Sequence, residues 1–102
     1  MKDDTMRPVL FAEFTAREGH TETVRELITG LAANVHTEPG NVAFTVHTRA
    51  DEPRRFVVYE VYRDDAAFQE HISAEYGAVF NAAIVNHIEE PATRLTWLHD
   101  VG

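Results

Sequence analysis

The sequence predicts one α+β domain, in which a four-stranded antiparallel sheet carries its helices on one face. Three observations predict it. Four short segments are rich in apolar residues at strand spacing, the segments between them show helical spacing, and a length of 102 residues leaves room for a single core. The predicted order is β-α-β-β-α-β, with the second helix divided in two. That order is the split βαβ arrangement of the ferredoxin-like fold.

The first half of the chain contains one strand and one long helix. Residues 1–7 are mostly polar or charged and are expected to be a disordered tail, followed by the domain at 8–102. The first strand is predicted over 8–15. The next segment carries an apolar stripe at helical spacing, formed by Val24, Leu27, Ile28, Leu31 and Val35. The helix is predicted to run from Thr21, as its N-cap, to about Thr37, because Pro39 and Gly40 follow.

The second half continues with a hairpin and a broken helix. A strand over 41–49 presents Val42, Phe44 and Val46 on one face, and a turn at 51–54 leads to a strand over 55–63. Asp64 or Asp65 is predicted to cap a short helix, which breaks near 73–75. A further helix is expected to end before Pro91. The last strand is predicted over 93–99, with Leu95 and Trp97 on one face.

The predicted sheet is apolar on both faces. The first and third strands have apolar residues on either side, although only one face can lie beneath the helices. A second apolar face on a soluble protein needs a cover, and a second copy related by a two-fold axis supplies one. The sequence therefore predicts a homodimer with sheet packed on sheet. A monomer with a partly exposed apolar face is the alternative.

Composition excludes several classes of protein. Cysteine is absent, so neither a disulfide nor a thiolate metal site can form. A net charge of −8 and the scattered basic residues argue against nucleic acid as a partner. Neither a signal peptide nor an apolar segment of membrane-spanning length is visible, so a soluble, cytoplasmic protein without a membrane partner is expected. The six histidines show no metal spacing, and no cofactor motif occurs, so no metal or cofactor is expected.

One group of side chains could carry chemistry. Glu60 interrupts an apolar strand, Tyr62 lies on the same strand face, and His71 lies beside the apolar stripe of the following helix. If that helix covers this face, the three side chains converge. Each also has a structural interpretation: an interface ion pair for Glu60, a core histidine for His71 and packing for Tyr62. An apolar wall for a substrate could be formed by Ala12, Phe44, Phe68, Tyr76 and Phe80. The structural interpretation of Phe44, Phe68 and Phe80 is that they belong to the core.

Over residues 8–98 the chain resembles the antibiotic biosynthesis monooxygenase (ABM) family. The matching residues and segments are Phe14, Gly19-His20, Glu38-Pro39-Gly40, Phe44-Thr45-Val46-His47, the run from Arg55 to Asp64, Ala67 with His71, Tyr76 and Phe80. The resemblance implies a dimeric ferredoxin-like fold in which the two protomers exchange their C-terminal strands. It also implies oxidation of a quinol or aromatic phenol by O₂ without metal or flavin. His71 would be the base, Glu60 its partner or an alternative base, and Tyr62 a hydrogen-bond donor to a substrate oxygen.

Two other functions stay open at this point. One branch of the family isomerises a small phosphorylated dione and resembles this chain in Glu60, Tyr62 and the Glu-x-Gly-Asn pattern at 38–41. A non-catalytic dimeric binding module is the other alternative. The haem-degrading branch is disfavoured, because Ala12 and Phe80 stand near the places where that branch has Asn and His.

Overall fold

The four strands form one antiparallel sheet in the order β2-β3-β1-β4, with three helices packed on one face. The computed structural model describes residues 7–101. Its elements are β1 (Val9–Thr15), α1 (Thr21–Val35), β2 (Asn41–Arg49), β3 (Glu52–Tyr62), α2 (Asp65–Ser73), α3 (Glu75–Ile84) and β4 (Arg94–Leu98). The predicted ferredoxin-like α+β fold is confirmed. The predicted tail at 1–7 lies outside the described residues, apart from Arg7.

The helix ends follow local chemistry, with one correction. The Asp64 carboxylate accepts the backbone N–H of Ala67 at 2.8 Å, which confirms Asp64 as the cap of α2. Ala74 is extended and separates α2 from α3, as the predicted break requires. Thr21 is not the N-cap of α1, because it is already the first helical residue. His20 occupies the cap position without a side-chain cap hydrogen bond.

The hairpin between β2 and β3 is tighter than predicted. Arg49 pairs with Glu52, so the turn lies at 50–51 rather than 51–54, and β3 starts earlier than expected. A register shift between Asn41 and Ala43 makes Val42 a bulge residue. Val42 is therefore 54% exposed instead of sharing the face of Phe44.

The core lies between the helices and the inner face of the sheet. Phe14 and Phe56 stack across β1 and β3 with ring centroids 5.7 Å apart, and Phe80 of α3 packs on Phe14 at 6.2 Å. Val24 and Ile28 of α1 belong to the same buried cluster. Burying these side chains orients the inner face of the sheet toward the helices, and that face carries Glu60 at its centre.

The outer face of the sheet is apolar at one end and charged at the other. Val9 and Val61 are buried, whereas Tyr59, whose ring lies 5.9 Å from that of Phe11, is 37% exposed. Toward the other end Arg55 and Glu13 form an ion pair at 3.2 Å. Within one chain β4 pairs with β1. The cover of this face by a second copy stays a prediction.

Among the described residues, no helix is both long and apolar enough to cross a membrane.

Candidate active site

A cavity of about 360 Å³ lies between the inner face of the sheet and the helices. Four of the five predicted wall residues line it: Ala12, Phe44, Phe68 and Phe80. Most other lining residues are also apolar. The polar side chains in the lining are Glu60, His71, Asn81 and Thr93, and none of the described lining residues is Arg or Lys. The cavity therefore suits an apolar ligand with few polar atoms.

Glu60 is a buried carboxyl group in the lining of this cavity. Its neighbours across the sheet are Leu10 on β1 and Phe44 on β2, and the residue is 6% exposed. Burial raises the pKa of Glu60, and the hydrogen bond from Tyr62 and the charge of His71 oppose that rise in part. A carboxyl group in this environment favours its protonated form more than one in water does.

Tyr62 holds the carboxyl group of Glu60 by a hydrogen bond. Two residues further along β3, it shares the face of Glu60, and its fully buried hydroxyl donates to Glu60 Oε1 at 2.7 Å. Burial and the neighbouring carboxyl group raise the pKa of Tyr62 far above its ordinary value, so the hydroxyl stays a donor. Among the residues that the structure describes, those that line the cavity do not include Tyr62. The structure thus directs this hydroxyl to Glu60, whereas the family resemblance implied a donor to the substrate.

His71 lies between two carboxyl groups at the cavity wall. Its Nε2 is 3.8 Å from Glu60 Oε1, and its Nδ1 is 3.2 and 3.1 Å from the two carboxylate oxygens of Glu38. The imidazole ring packs on Tyr62 with centroids 4.8 Å apart. Glu60, Tyr62 and His71 therefore converge as the sequence indicated, with the His71–Glu60 distance longer than a hydrogen bond.

Glu38 is the functional candidate that sequence reasoning missed. It lies between α1 and β2, and its Oε2 also accepts the hydroxyl of Tyr76. Burial and this carboxylate raise the pKa of Tyr76 to about 12. Tyr76 was predicted to line the cavity, but it is not among the described lining residues. Its hydroxyl is hydrogen-bonded to Glu38 instead. In the sequence Glu38 appears in the Glu38-Pro39-Gly40 segment after α1 and in the Glu-x-Gly-Asn pattern at 38–41, but no local signal pairs it with His71.

This arrangement can move a proton at the edge of an apolar cavity. His71 can accept a proton, and the carboxyl groups on either side can stabilise the charged ring. Within residues 7–101, no group of three or more His, Cys, Asp or Glu side chains is placed to hold a metal ion.

The chain is similar to one protein family and to several solved structures. Residues 9–83 match the family model described as antibiotic biosynthesis monooxygenase. A candidate antibiotic biosynthesis monooxygenase from Nitrosomonas europaea is 21% identical with a TM-score of 0.87, the alignment covering 99% of this chain and 96% of that one. Another from Caulobacter crescentus is 20% identical with a TM-score of 0.88, covering 97% and 93%. A protein from Shewanella oneidensis is 26% identical with a TM-score of 0.86, covering 97% and 95%. No curated protein matches the chain.

Proposed function

This chain belongs to the antibiotic biosynthesis monooxygenase family, and we propose that it oxidises a phenolic or quinol-type aromatic compound with O₂, without metal or flavin. The observation that carries the proposal is the position of His71. The imidazole lines an apolar cavity and has a carboxyl group near each ring nitrogen. A base in such a place can deprotonate a phenol while the apolar walls hold its ring and exclude water.

The reaction starts with removal of the phenolic proton by His71. The phenolate that results is electron-rich enough to reduce O₂ itself. For a substrate with a methylene group conjugated to the phenol, the methylene becomes a carbonyl and gives up four electrons and two protons. One atom of O₂ becomes the carbonyl oxygen, and the other leaves as water with those protons. The imidazolium of His71 then returns its proton to the phenolate oxygen of the product, so the protein ends as it began.

Three observations support this function over the alternatives. A phosphorylated dione would need cationic side chains, and the described lining contains two titratable groups, Glu60 and His71, with neither Arg nor Lys. The negative net charge of −8 also disfavours an anionic substrate. A binding module without proton chemistry would not need His71 beside Glu60 and Glu38, nor open space next to that ring.

We also propose that the active form is a homodimer built on the outer face of the sheet. Toward the apolar end of that face, Phe11 and Tyr59 are only partly buried in one chain. Packing this end against its two-fold copy would remove it from water. The ion pair of Arg55 and Glu13 would then lie toward the edge of the interface.

The proposed oxidation is tested with an oxygen electrode. Purified protein in the presence of a metal chelator is supplied with a panel of anthrones, naphthols and benzoquinols. We expect O₂ uptake with an anthrone or quinol and a loss of about 10²- to 10⁴-fold in kcat for His71→Ala. His99→Ala, an exposed histidine outside the cavity lining, is the matched control and should behave as wild type. Absence of uptake across the panel, or equal activity of His71→Ala and wild type, would overturn the proposal.

A further inference from the structure

Three separate segments bring a tyrosine, a carboxylate and a histidine into one hydrogen-bonded chain. Glu38 comes from the α1–β2 connection, His71 from α2 and Tyr76 from α3. We propose that Glu38 is a positioning residue, held by Tyr76, which keeps the ring proton of His71 on Nδ1. Nε2 is then the free acceptor that meets the substrate. This inference rests on the proposed function for its catalytic consequence, although the tautomer itself does not.

The distances around the imidazole decide which nitrogen carries the proton. Both oxygens of Glu38 lie within 3.2 Å of Nδ1, and an ionised carboxylate only accepts hydrogen bonds. Nδ1 must therefore donate. A neutral imidazole has one ring proton, which leaves the lone pair on Nε2. Glu60, at 3.8 Å from Nε2, is beyond hydrogen-bond distance and cannot fix the opposite tautomer.

Tyr76 holds the Glu38 carboxylate in a fixed position beside His71. Its hydroxyl donates to Glu38 Oε2, and with a pKa of about 12 it remains protonated at any pH near neutral. The Glu38 side chain is 15% exposed, as is that of His71. A carboxylate with so little water around it needs donors, and Tyr76 and His71 supply two. The same two contacts restrict rotation of the carboxylate and so orient the ring of His71.

The break between α2 and α3 is what allows this convergence. His71 and Tyr76 are five residues apart, and in one continuous helix their side chains would point about 140° apart around the axis. Ala74, with φ −69° and ψ 138°, is extended and changes the direction of the chain between them. Both side chains can therefore reach the same carboxylate. The split helix is thus a feature of the site as well as of the fold.

The test compares Glu38→Ala and Tyr76→Phe with wild type, and uses Glu26→Ala, an exposed glutamate on α1, as the control. The tautomer of His71 is measured without substrate by ¹⁵N–¹H correlation spectroscopy of the histidine rings, with His71→Gln to assign the signals. We expect Nδ1–H and bare Nε2 in wild type and Glu26→Ala, and a change toward the Nε2–H form in Glu38→Ala. Tyr76→Phe should give a smaller change in the same direction.

Kinetics supply the second readout. With a substrate found by O₂ uptake, Glu38→Ala should lower kcat at least about tenfold with little change in KM, since loss of an orienting carboxylate acts on the base. A wild-type His71 protonated on Nε2, or an unchanged tautomer in Glu38→Ala, would overturn the inference whatever the activity. O₂ uptake that requires His71 but is unaffected by Glu38→Ala would overturn it while leaving the proposed oxidation intact.

Discussion

Gly40 packs directly against Ala67 of α2, and Gly40→Ala should destabilise the fold and disturb the site together. A Cβ on residue 40 would overlap the Cβ of Ala67 and stand 3.3 Å from its Cα. Carbon atoms in ordinary contact are about 3.5 to 4.0 Å apart, so either the loop or α2 must move. The Cβ and Cα of Ala67 are held by the helix backbone, so neither atom can rotate away from the added Cβ.

The expected cost follows from this overlap. Overpacking of a buried contact costs about 1 to 3 kcal/mol in the free energy of unfolding. In a domain of this size each kcal/mol lowers Tm by roughly 4 to 8 °C. Ala67 and His71 are four residues apart in α2 and share a helix face. Because Glu38 lies two residues before Gly40, the same displacement should separate His71 from Glu38.

Thermal and urea unfolding measure the stability, and ring ¹⁵N–¹H spectra of His71 report the site. Gly30→Ala is the matched control, since a Cβ there meets no atom within 4 Å and replaces a helical glycine; it should raise stability by up to about 1 kcal/mol. Ala67→Gly combined with Gly40→Ala should recover part of the loss, with a coupling energy of about 0.5 to 3 kcal/mol. Unchanged stability in Gly40→Ala, or strictly additive effects in the double variant, would refute the reasoning.

Two further predictions concern Glu60 and the outer face of the sheet. Burial holds the pKa of Glu60 above its ordinary 4.5, so the unfolded chain ionises first, and stability falls as pH rises from 4.5 through the raised pKa. Each tenfold decrease in the acid dissociation constant of Glu60 on folding corresponds to a loss of about 1.4 kcal/mol in the free energy of unfolding over this pH range. Urea unfolding at pH 4 and pH 8 measures this fall in stability, which Glu60→Gln should abolish and the control Glu70→Gln should retain. A Glu60→Gln variant with the same pH dependence as Glu70→Gln would contradict the prediction. In sedimentation velocity at micromolar concentration, wild type and the helix-surface control Val79→Glu should be dimers and Tyr59→Glu a monomer. A monomeric wild type would refute the dimer.

The fold and half of the site were predictable because their signals are local. Alternation and helical spacing determine which residues of a strand or helix face the core, so the element order and the inner face of β3 followed directly. Asp64 caps α2 through an N–H three residues away. Glu60 stood out because a carboxylate in an apolar strand needs a partner, and Tyr62 on the same face is that partner.

Only the tertiary structure decided how these residues are paired. His71 and Glu38 are 33 residues apart, and Tyr76 and Glu38 are 38 apart, so no local pattern joins them. The bulge at Val42 depends on the register of β2 against β3, which periodicity does not specify. The sequence by itself determined an α+β domain with a carboxylate, a tyrosine and a histidine near one cavity. The packing of α2 and α3 around the extended Ala74 decided that Glu38 holds the histidine, because a hydrogen bond depends on where the folded chain returns in space.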